Sequence, residues 1–158
     1  MNIFYTDRNP NTAAREHCDK HVVKMIVEYA QLLSTAHHVI DGDAARPGIY
    51  RSTHKNHPSA VWVRQSAEHY GYVSTLLEAL GEEYFHRYGR VHKTMREVAP
   101  ALILQPDNMP MDGGWVDPPQ CMPDEYKRQS VVAAYRAYVA GAKRHFAKWT
   151  NRAAPSWF

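Results

Sequence analysis

Apolar residues recur every three to four positions over most of the chain, which is the period of an amphipathic α-helix. The pattern predicts a long first helix from Ala13 to about His38, free of glycine and proline, with Asn11 or Thr12 as its N-cap. A second helix is predicted to begin at the HPSAVW motif and to run through Leu80. The pattern also allows the helix to continue as far as Gly89, which would then be the residue that follows its last turn.

The remaining segments predict shorter elements. Residues 2–6 form a short strand or an extended arm, and VHKTMREV forms a short helix. Residues 99–123 contain six prolines and a glycine pair, so they are expected to form a long ordered or lid-like loop. A last helix is predicted over 124–149. The fold class is therefore mainly α: a single-domain helical bundle spanning 1–158, with a short N-terminal strand or arm and a long Pro-rich loop.

Length and composition narrow the class of protein. A chain of 158 residues with 44% hydrophobic residues suits one globular domain with its own core. No apolar run approaches the roughly 18 residues that a membrane-spanning helix needs. The opening MNIFYTDRNP lacks the features of a signal peptide, and two cysteines do not form a disulfide framework. These observations predict a cytoplasmic protein without a membrane partner.

One sector of the first helix concentrates polar side chains. At about 100° per residue, the opposite apolar sector is about 180° wide, which predicts a largely buried helix. The polar stripe is then either the floor of a functional pocket, which we favour, or the one solvated face of the helix. The stripe is rich in histidine, which a generic solvated face is not. Its members are His17, Lys20, His21, Lys24, Glu28, Gln31, Thr35 and His38.

Four residues of this stripe are the candidate catalytic set: Glu28, His21, Lys24 and His17. A carboxylate beside an ammonium and an imidazole can carry out acid–base chemistry near neutral pH. We expect these four side chains to face a cavity shared with the second helix. His17 and His21 also have the spacing of two metal ligands on one helix, but spacing alone is a weak signal, and no cofactor is predicted.

A second polar cluster, RSTHKNHPSAVW, lies at the start of the second predicted helix. Free backbone N–H groups there, beside cationic side chains, would bind a phosphate, although His57 or Asn56 could equally well be a simple helix cap. His69 on the same helix is either a substrate contact or a hydrogen-bonded core histidine. The candidate substrate and phosphate ligands are Arg51, His54, His57, His69, Arg90, His92 and Lys93.

Charge is unevenly distributed along the chain. Residues 124–158 carry seven Lys and Arg against two acidic residues, a net charge of +5. Residues 1–123 carry 12 Lys and Arg against 14 Asp and Glu, a net charge of −2. A basic C-terminal helix suits a polyanion such as DNA, and a solvated helix face is the alternative.

Six motifs spread over nearly the whole chain resemble a family of small bacteriophage proteins: HCDKHVVKM, NHPSAVW, EEYFHRYGRVHK, MPDEYK, AYRAY and APSWF. The layout also resembles the small helical pyrimidine-dimer DNA glycosylases of phages, which combine an essential Glu on an N-terminal helix with a basic surface and an aromatic C-terminal segment. The resemblance implies that Glu28 is the carboxylate and that the protein works in the cytoplasm of an infected host cell. Those glycosylases use an N-terminal α-amine exposed by removal of the initiator Met. Because Asn2 is bulky, Met1 should be retained here. Lys20 or Lys24 would supply the amine instead only if burial or a neighbouring charge lowered its pKa.

Three functions remain open at this point. The first is a glycosylase-like or base-modifying enzyme that acts on DNA, with its pocket on the first helix. The second is an enzyme acting on small nucleotides or other phosphorylated substrates through the Arg51, His54 and His57 cluster. The third is a non-enzymatic phage protein that binds a host factor through the polar stripe. The partner is accordingly DNA or a nucleotide in the first two cases, and the sequence does not determine the oligomeric state.

Overall fold

The computed structural model describes residues 1–158 and is mainly helical, with six α-helices and no strand. This confirms the predicted fold class. The helices are α1 (Pro10–Glu16), α2 (Asp19–Asp41), α3 (Pro58–Val63), α4 (Ala67–Tyr88), α5 (Lys93–Glu97) and α6 (Val131–Ala142). Short 3-10 turns lie at Gly42–Ala44, Ala99–Leu102 and Asp124–Tyr126.

The first predicted helix is two helices. The side chain of Asn9, not of Asn11 or Thr12, caps α1 by accepting from the backbone N–H of Asn11. The chain then leaves helical geometry at His17 and Cys18, whose ψ angles are 129° and 163°. Tertiary contacts explain this break, because the N–H of Asp19 donates to the carbonyl of Lys148 rather than to a preceding turn. Sequence periodicity does not detect such a partner.

The second predicted helix is also interrupted, at residues 64–66 between α3 and α4. Ser66 has an extended backbone and accepts from the N–H of Glu68, so it starts a new helix as an N-cap. The N–H of Ala67 donates to the carbonyl of Pro110, which ties this break to the Pro-rich segment. Gly89 ends α4 with φ of 66°, a left-handed conformation that glycine adopts without strain, as the sequence predicts.

Residues 2–6 form an arm without strand pairing, which is one of the two predicted alternatives. The C-terminal end differs from the prediction. The last α-helix covers only Val131–Ala142. Residues 99–123 do form an ordered loop: the carboxylate of Asp41 accepts from the N–H groups of Asp107 and Asn108, and Trp62 donates to the carbonyl of Val116.

Helix α4 packs against both α1 and α2, and together with the arm these helices enclose the core. Twelve of the 23 residues of α2 are buried, in agreement with the wide apolar sector. The largest fully buried side chains include Tyr5, Tyr29, Tyr70 and Tyr135. None of the helices has both the length and the hydrophobicity that crossing a membrane requires.

A buried ion-pair network holds the C-terminal residues on the bundle. The guanidinium of Arg87 donates to the carboxylates of Glu83 at 2.7 Å and Asp19 at 2.8 Å. Arg152 donates to Glu83 at 2.7 Å, and the N–H and hydroxyl of Thr150 donate to Asp19. Since Glu83 and Arg87 are each only 4% exposed, this pairing compensates for their loss of hydration.

Candidate active site

A cavity of about 370 Å³, here called the Glu28 cavity, opens beside the N-terminal half of α2. Lys24, His21 and Glu28 line it from α2, where spacings of three and four residues place them on one helix face. Three of the four predicted catalytic residues therefore share one cavity. The opposite wall differs from the prediction: it comes from the N-terminal arm and from residues 138–146, not from the second predicted helix.

Glu28 is the only carboxylate in this cavity, and it faces two amines. Its Oε1 atom lies 3.2 Å from Nζ of Lys24, and its Oε2 atom lies 3.9 Å from the amino group of Met1. The side chain of Glu28 is 16% exposed, so both carboxylate oxygens are close to protein groups but remain open to the cavity. The arrangement provides a fixed negative charge beside amines.

Two further lysines lie at the rim, each above an aromatic ring. Nζ of Lys20 lies 4.7 Å from the ring centre of Phe146, and Nζ of Lys143 lies 4.6 Å from the ring centre of Tyr138. The negative ring faces attract the ammonium groups and restrict where they can move. With Lys24 and the amino group of Met1, four ammonium groups surround a cavity that contains one carboxylate, which favours an anionic occupant.

His21 forms part of the floor, stacked on the ring of Phe4 with ring centres 4.1 Å apart. Burial lowers the pKa of His21 to about 3, and the positive charges of His17, Lys143 and Lys24 act in the same direction. The imidazole is therefore neutral near pH 7. In this state one ring nitrogen can donate and the other can accept a hydrogen bond.

His17 does not line the cavity, which corrects the prediction that it faces a substrate. It lies before the start of α2, so its side chain does not continue the polar stripe. One ring nitrogen, Nδ1, is 2.6 Å from the carbonyl oxygen of Ala13 and must carry the proton, while Nε2 accepts from the hydroxyl of Tyr29 at 2.8 Å. The Tyr29 oxygen in turn accepts from the N–H of Phe4 at 3.1 Å. His17 thus holds the arm that forms the cavity wall.

These bonds also bear on metal binding. Both ring nitrogens of His17 are engaged by protein groups, so the His17 and His21 pair does not present two free ligands. No group of three or more His, Cys, Asp or Glu side chains in the structure is arranged to hold a metal ion.

None of residues 51–57, the predicted phosphate cluster, lines the Glu28 cavity. Partial burial lowers the pKa of His57, as do the charges of the Met1 amino group and His54, whereas Glu28 acts in the opposite direction. His57 and Glu28 therefore share one electrostatic environment. The imidazole of His57 caps α3 by accepting from the N–H of Ser59, and His54 has a left-handed φ of 47° with its ring bonded to the Thr53 hydroxyl. Capping of α3, the alternative interpretation, thus accounts for the geometry of His57, and Arg51 remains exposed.

The other predicted ligands lie elsewhere. His69 is a buried structural residue, because its ring nitrogens bond the carbonyl of Trp62 and the N–H of Val116, which leaves none for a substrate. His92 caps α5, and Lys93 is exposed beside Glu97. Arg90 donates to the hydroxyl of Tyr84. None of these four residues lines the Glu28 cavity.

The aromatic residues of the cavity wall were not identified from the sequence. Phe4 is more than 100 residues from Tyr138 and Phe146 along the chain, and helical periodicity carries no information about such distant pairs. The one available signal was the excess of positive charge after residue 123, which includes Lys143. Other charges in that segment are used internally: Arg136 pairs with Asp7 and Arg152 with Glu83.

Comparison of the chain with protein-family models, with curated proteins and with solved structures finds no match. The function is therefore inferred from the Glu28 cavity and its surroundings.

Proposed function

We propose that this protein is a DNA-acting enzyme, glycosylase-like or base-modifying, that takes one extruded nucleotide into the Glu28 cavity. The observation that carries the proposal is the convergence, in one cavity, of a single carboxylate, three lysines and several aromatic rings. The resemblance of the sequence motifs to phage proteins and to phage DNA glycosylases agrees with it.

The lysines support a phosphate-bearing substrate. Lys20, Lys24 and Lys143 surround the opening, and two of them are held above aromatic rings. Ammonium groups in this arrangement neutralise backbone phosphates next to the nucleotide that enters the cavity.

The rings support a base as the occupant. An enzyme that reacts with a base within a duplex must first remove it from the stack, and aromatic side chains then replace the lost stacking. Tyr138 and Phe146, half-buried at the cavity wall, provide the rings for this contact, because Phe4 is 5% exposed and already stacked on His21. The neutral imidazole of His21 adds a donor and an acceptor for the edge of the base.

Glu28 supports cleavage of the bond between sugar and base. As the C1′–N bond breaks, its electron pair leaves with the base, and positive charge develops on the sugar. A fixed carboxylate stabilises that charge and can take the proton of an attacking nucleophile. The nucleophile is either water or an amine, and the nearest amines to Glu28 are those of Lys24 and Met1.

The test is a panel of duplex oligonucleotides carrying ultraviolet, deaminated or alkylated bases. Release of base, or strand cleavage after alkali treatment, is expected for at least one lesion and is expected to be lost in Glu28→Gln. Glu97→Gln, which alters an exposed carboxylate on α5, is the matched control. Borohydride in the same reaction distinguishes the nucleophiles, because only an amine forms an imine that reduction converts to a covalent protein–DNA adduct.

The alternatives give different results. Salt-dependent binding of DNA supports the proposal, because phosphate contacts release counterions. Stabilisation by nucleoside phosphates without any DNA binding contradicts it and favours an enzyme of small nucleotides. If neither ligand binds, the proposal is wrong and a protein-binding role is favoured.

A further inference from the structure

A second cavity, of about 400 Å³ and here called the Trp115 cavity, lies on the other side of the N-terminal arm. Three separate parts of the chain build it: the arm, helix α4 and the Pro-rich loop. Its lining residues are Tyr5, Arg8, Tyr72, Trp115 and Asp117. None of them contributes to the Glu28 cavity.

Trp115 is held in place although it is 39% exposed. Its ring packs edge-on against Trp62 and His69, with ring centres 5.6 and 5.5 Å apart, and its indole N–H donates to Asp117 at 3.1 Å. The backbone of Val116, the next residue, bonds both Trp62 and His69. An aromatic ring that is both fixed and exposed can bind a ligand without first losing side-chain entropy.

The aromatic rings of this cavity are inclined to one another. The plane of Trp115 makes an angle of 57° with Tyr72 and 36° with Tyr5, with ring centres 5.5 and 6.2 Å apart. No two of these rings are parallel, so they do not form the slot that would enclose a flat base. Inclined rings form a concave surface, which suits a rounded group such as a methylated ammonium ion.

The polar atoms of the rings are already bonded within the protein. The hydroxyl of Tyr5 donates to Asp117 at 3.1 Å, and the hydroxyl of Tyr72 donates to the carbonyl of Asp7 at 3.0 Å. Burial and the Asp117 charge raise the pKa of Tyr5 to about 12, so the hydroxyl keeps the proton that it donates. Trp115 therefore presents most of the carbon surface of the cavity, since Tyr72 is 7% and Tyr5 1% exposed.

Two opposite charges meet the same cavity without pairing. Oδ1 of Asp117 accepts from both Tyr5 and Trp115, while Oδ2 has no partner in the protein. Arg8 forms neither a hydrogen bond nor an ion pair, and it lies beyond ion-pair distance of Asp117. The occupant that satisfies both groups carries a positive charge for Asp117 and the rings, and a negative charge for Arg8.

We infer that the Trp115 cavity binds a small zwitterion in which a methylated ammonium group is joined to a carboxylate. The ammonium group lies over Trp115 and Tyr72 and faces Oδ2 of Asp117. The carboxylate accepts from the guanidinium of Arg8. This site is independent of the proposed action on DNA.

Trimethylglycine is the probe, and 3,3-dimethylbutanoate is its control, since it has the same shape and carboxylate but carbon in place of the charged nitrogen. Isothermal titration calorimetry of the whole protein is expected to show saturable binding of trimethylglycine. The carbon analogue is expected to bind roughly tenfold more weakly or worse, the range of a partly desolvated cation–π contact. Trp115→Leu is expected to abolish binding, and Trp115→Phe to retain part of it.

Arg8→Gln separates the two ends of the ligand. It is expected to weaken the binding of trimethylglycine but to leave the binding of tetramethylammonium unchanged. Arg96→Gln, on the exposed surface of α5, is the control and is expected to change the binding of neither ligand. Equal binding of trimethylglycine and its carbon analogue would overturn the inference, as would the absence of saturable binding. Preferential binding of a nucleoside monophosphate that Trp115→Leu abolishes would also overturn it, in favour of a base-stacking site.

Discussion

The carboxylate of Glu28 and the ammonium group of Lys24 lie 3.2 Å apart, one helical turn from each other on α2, at the wall of a cavity. The lysine side chain is 72% exposed, so water screens the pair. Exposed pairs of this kind stabilise a protein by only about 0.3–0.5 kcal/mol. The position of Glu28 therefore matters more for chemistry in the cavity than for stability.

Glu28→Gln is expected to leave folding almost unchanged while turnover on the proposed DNA substrate falls roughly a hundredfold or more, the usual effect of removing a positioned acid–base group. The amide keeps the shape of the side chain and removes the charge. Thermal unfolding and single-turnover kinetics measure the two effects. Near-normal turnover in a well-folded Glu28→Gln protein would rule out a catalytic role for this residue.

Stability is expected to decrease on mild acidification because of the buried histidines. Burial lowers the pKa of His17 to about 4 and that of His21 to about 3. Between these values and the ordinary value of about 6.5, the unfolded chain binds protons that the folded chain does not. The free energy of unfolding therefore falls as the pH falls through this window, by up to about 1.4 kcal/mol per pH unit for each histidine.

Urea denaturation at about pH 7 and about pH 5 measures this dependence, above the range in which most carboxylates titrate. His17→Gln lowers the free energy of unfolding at both pH values. It is also expected to reduce the difference in the free energy of unfolding between the two pH values. An unchanged difference in His17→Gln would show that His17 does not titrate as its burial implies.

Arg87→Met is expected to lower the free energy of unfolding by about 3–5 kcal/mol, because Asp19 loses its cation and the buried Glu83 keeps only Arg152. Methionine retains much of the aliphatic volume of arginine, so the lost charge dominates the change. Arg96→Met is the control, since Arg96 pairs with the exposed Glu97 and should alter stability by less than about 0.5 kcal/mol. Equal stability of the two variants in chemical denaturation would contradict the role assigned to the network.

Tyr29→Phe removes the hydroxyl that joins His17 to the arm. It leaves the N–H of Phe4 and Nε2 of His17 without partners inside the core, at an expected loss of about 1–3 kcal/mol. Hydrogen exchange should show the N–H of Phe4 losing protection. The proposed binding of DNA should weaken as well, because the arm forms a wall of the Glu28 cavity. Tyr88→Phe, at a half-buried position against Tyr84, is the control. Retained protection of Phe4 in Tyr29→Phe would refute this connection.

Local patterns in the sequence predicted the helical class and one wall of the site. The spacing of His21, Lys24 and Glu28 depends only on helix geometry, so it could be derived without the rest of the fold. The break before Asp19 could not, because it depends on Lys148 and Thr150, about 130 residues away. The position of His17 follows from that break, which explains why one member of the predicted set lies outside the cavity.

The ion pairs around Arg87 also constrain the order in which the molecule can be completed. When residues 1–148 have been synthesised, the two carboxylates of Asp19 and Glu83 have only the guanidinium of Arg87 as a partner. The second guanidinium, that of Arg152, is added later. The contacts of Arg87 with Asp19 and of Arg152 with Glu83 join positions more than 60 residues apart, and those of Thr150 with Asp19 span 131. Closing such long loops is entropically unfavourable and slow. Charge neutrality in the interior is thus reached only after Arg152 has been synthesised.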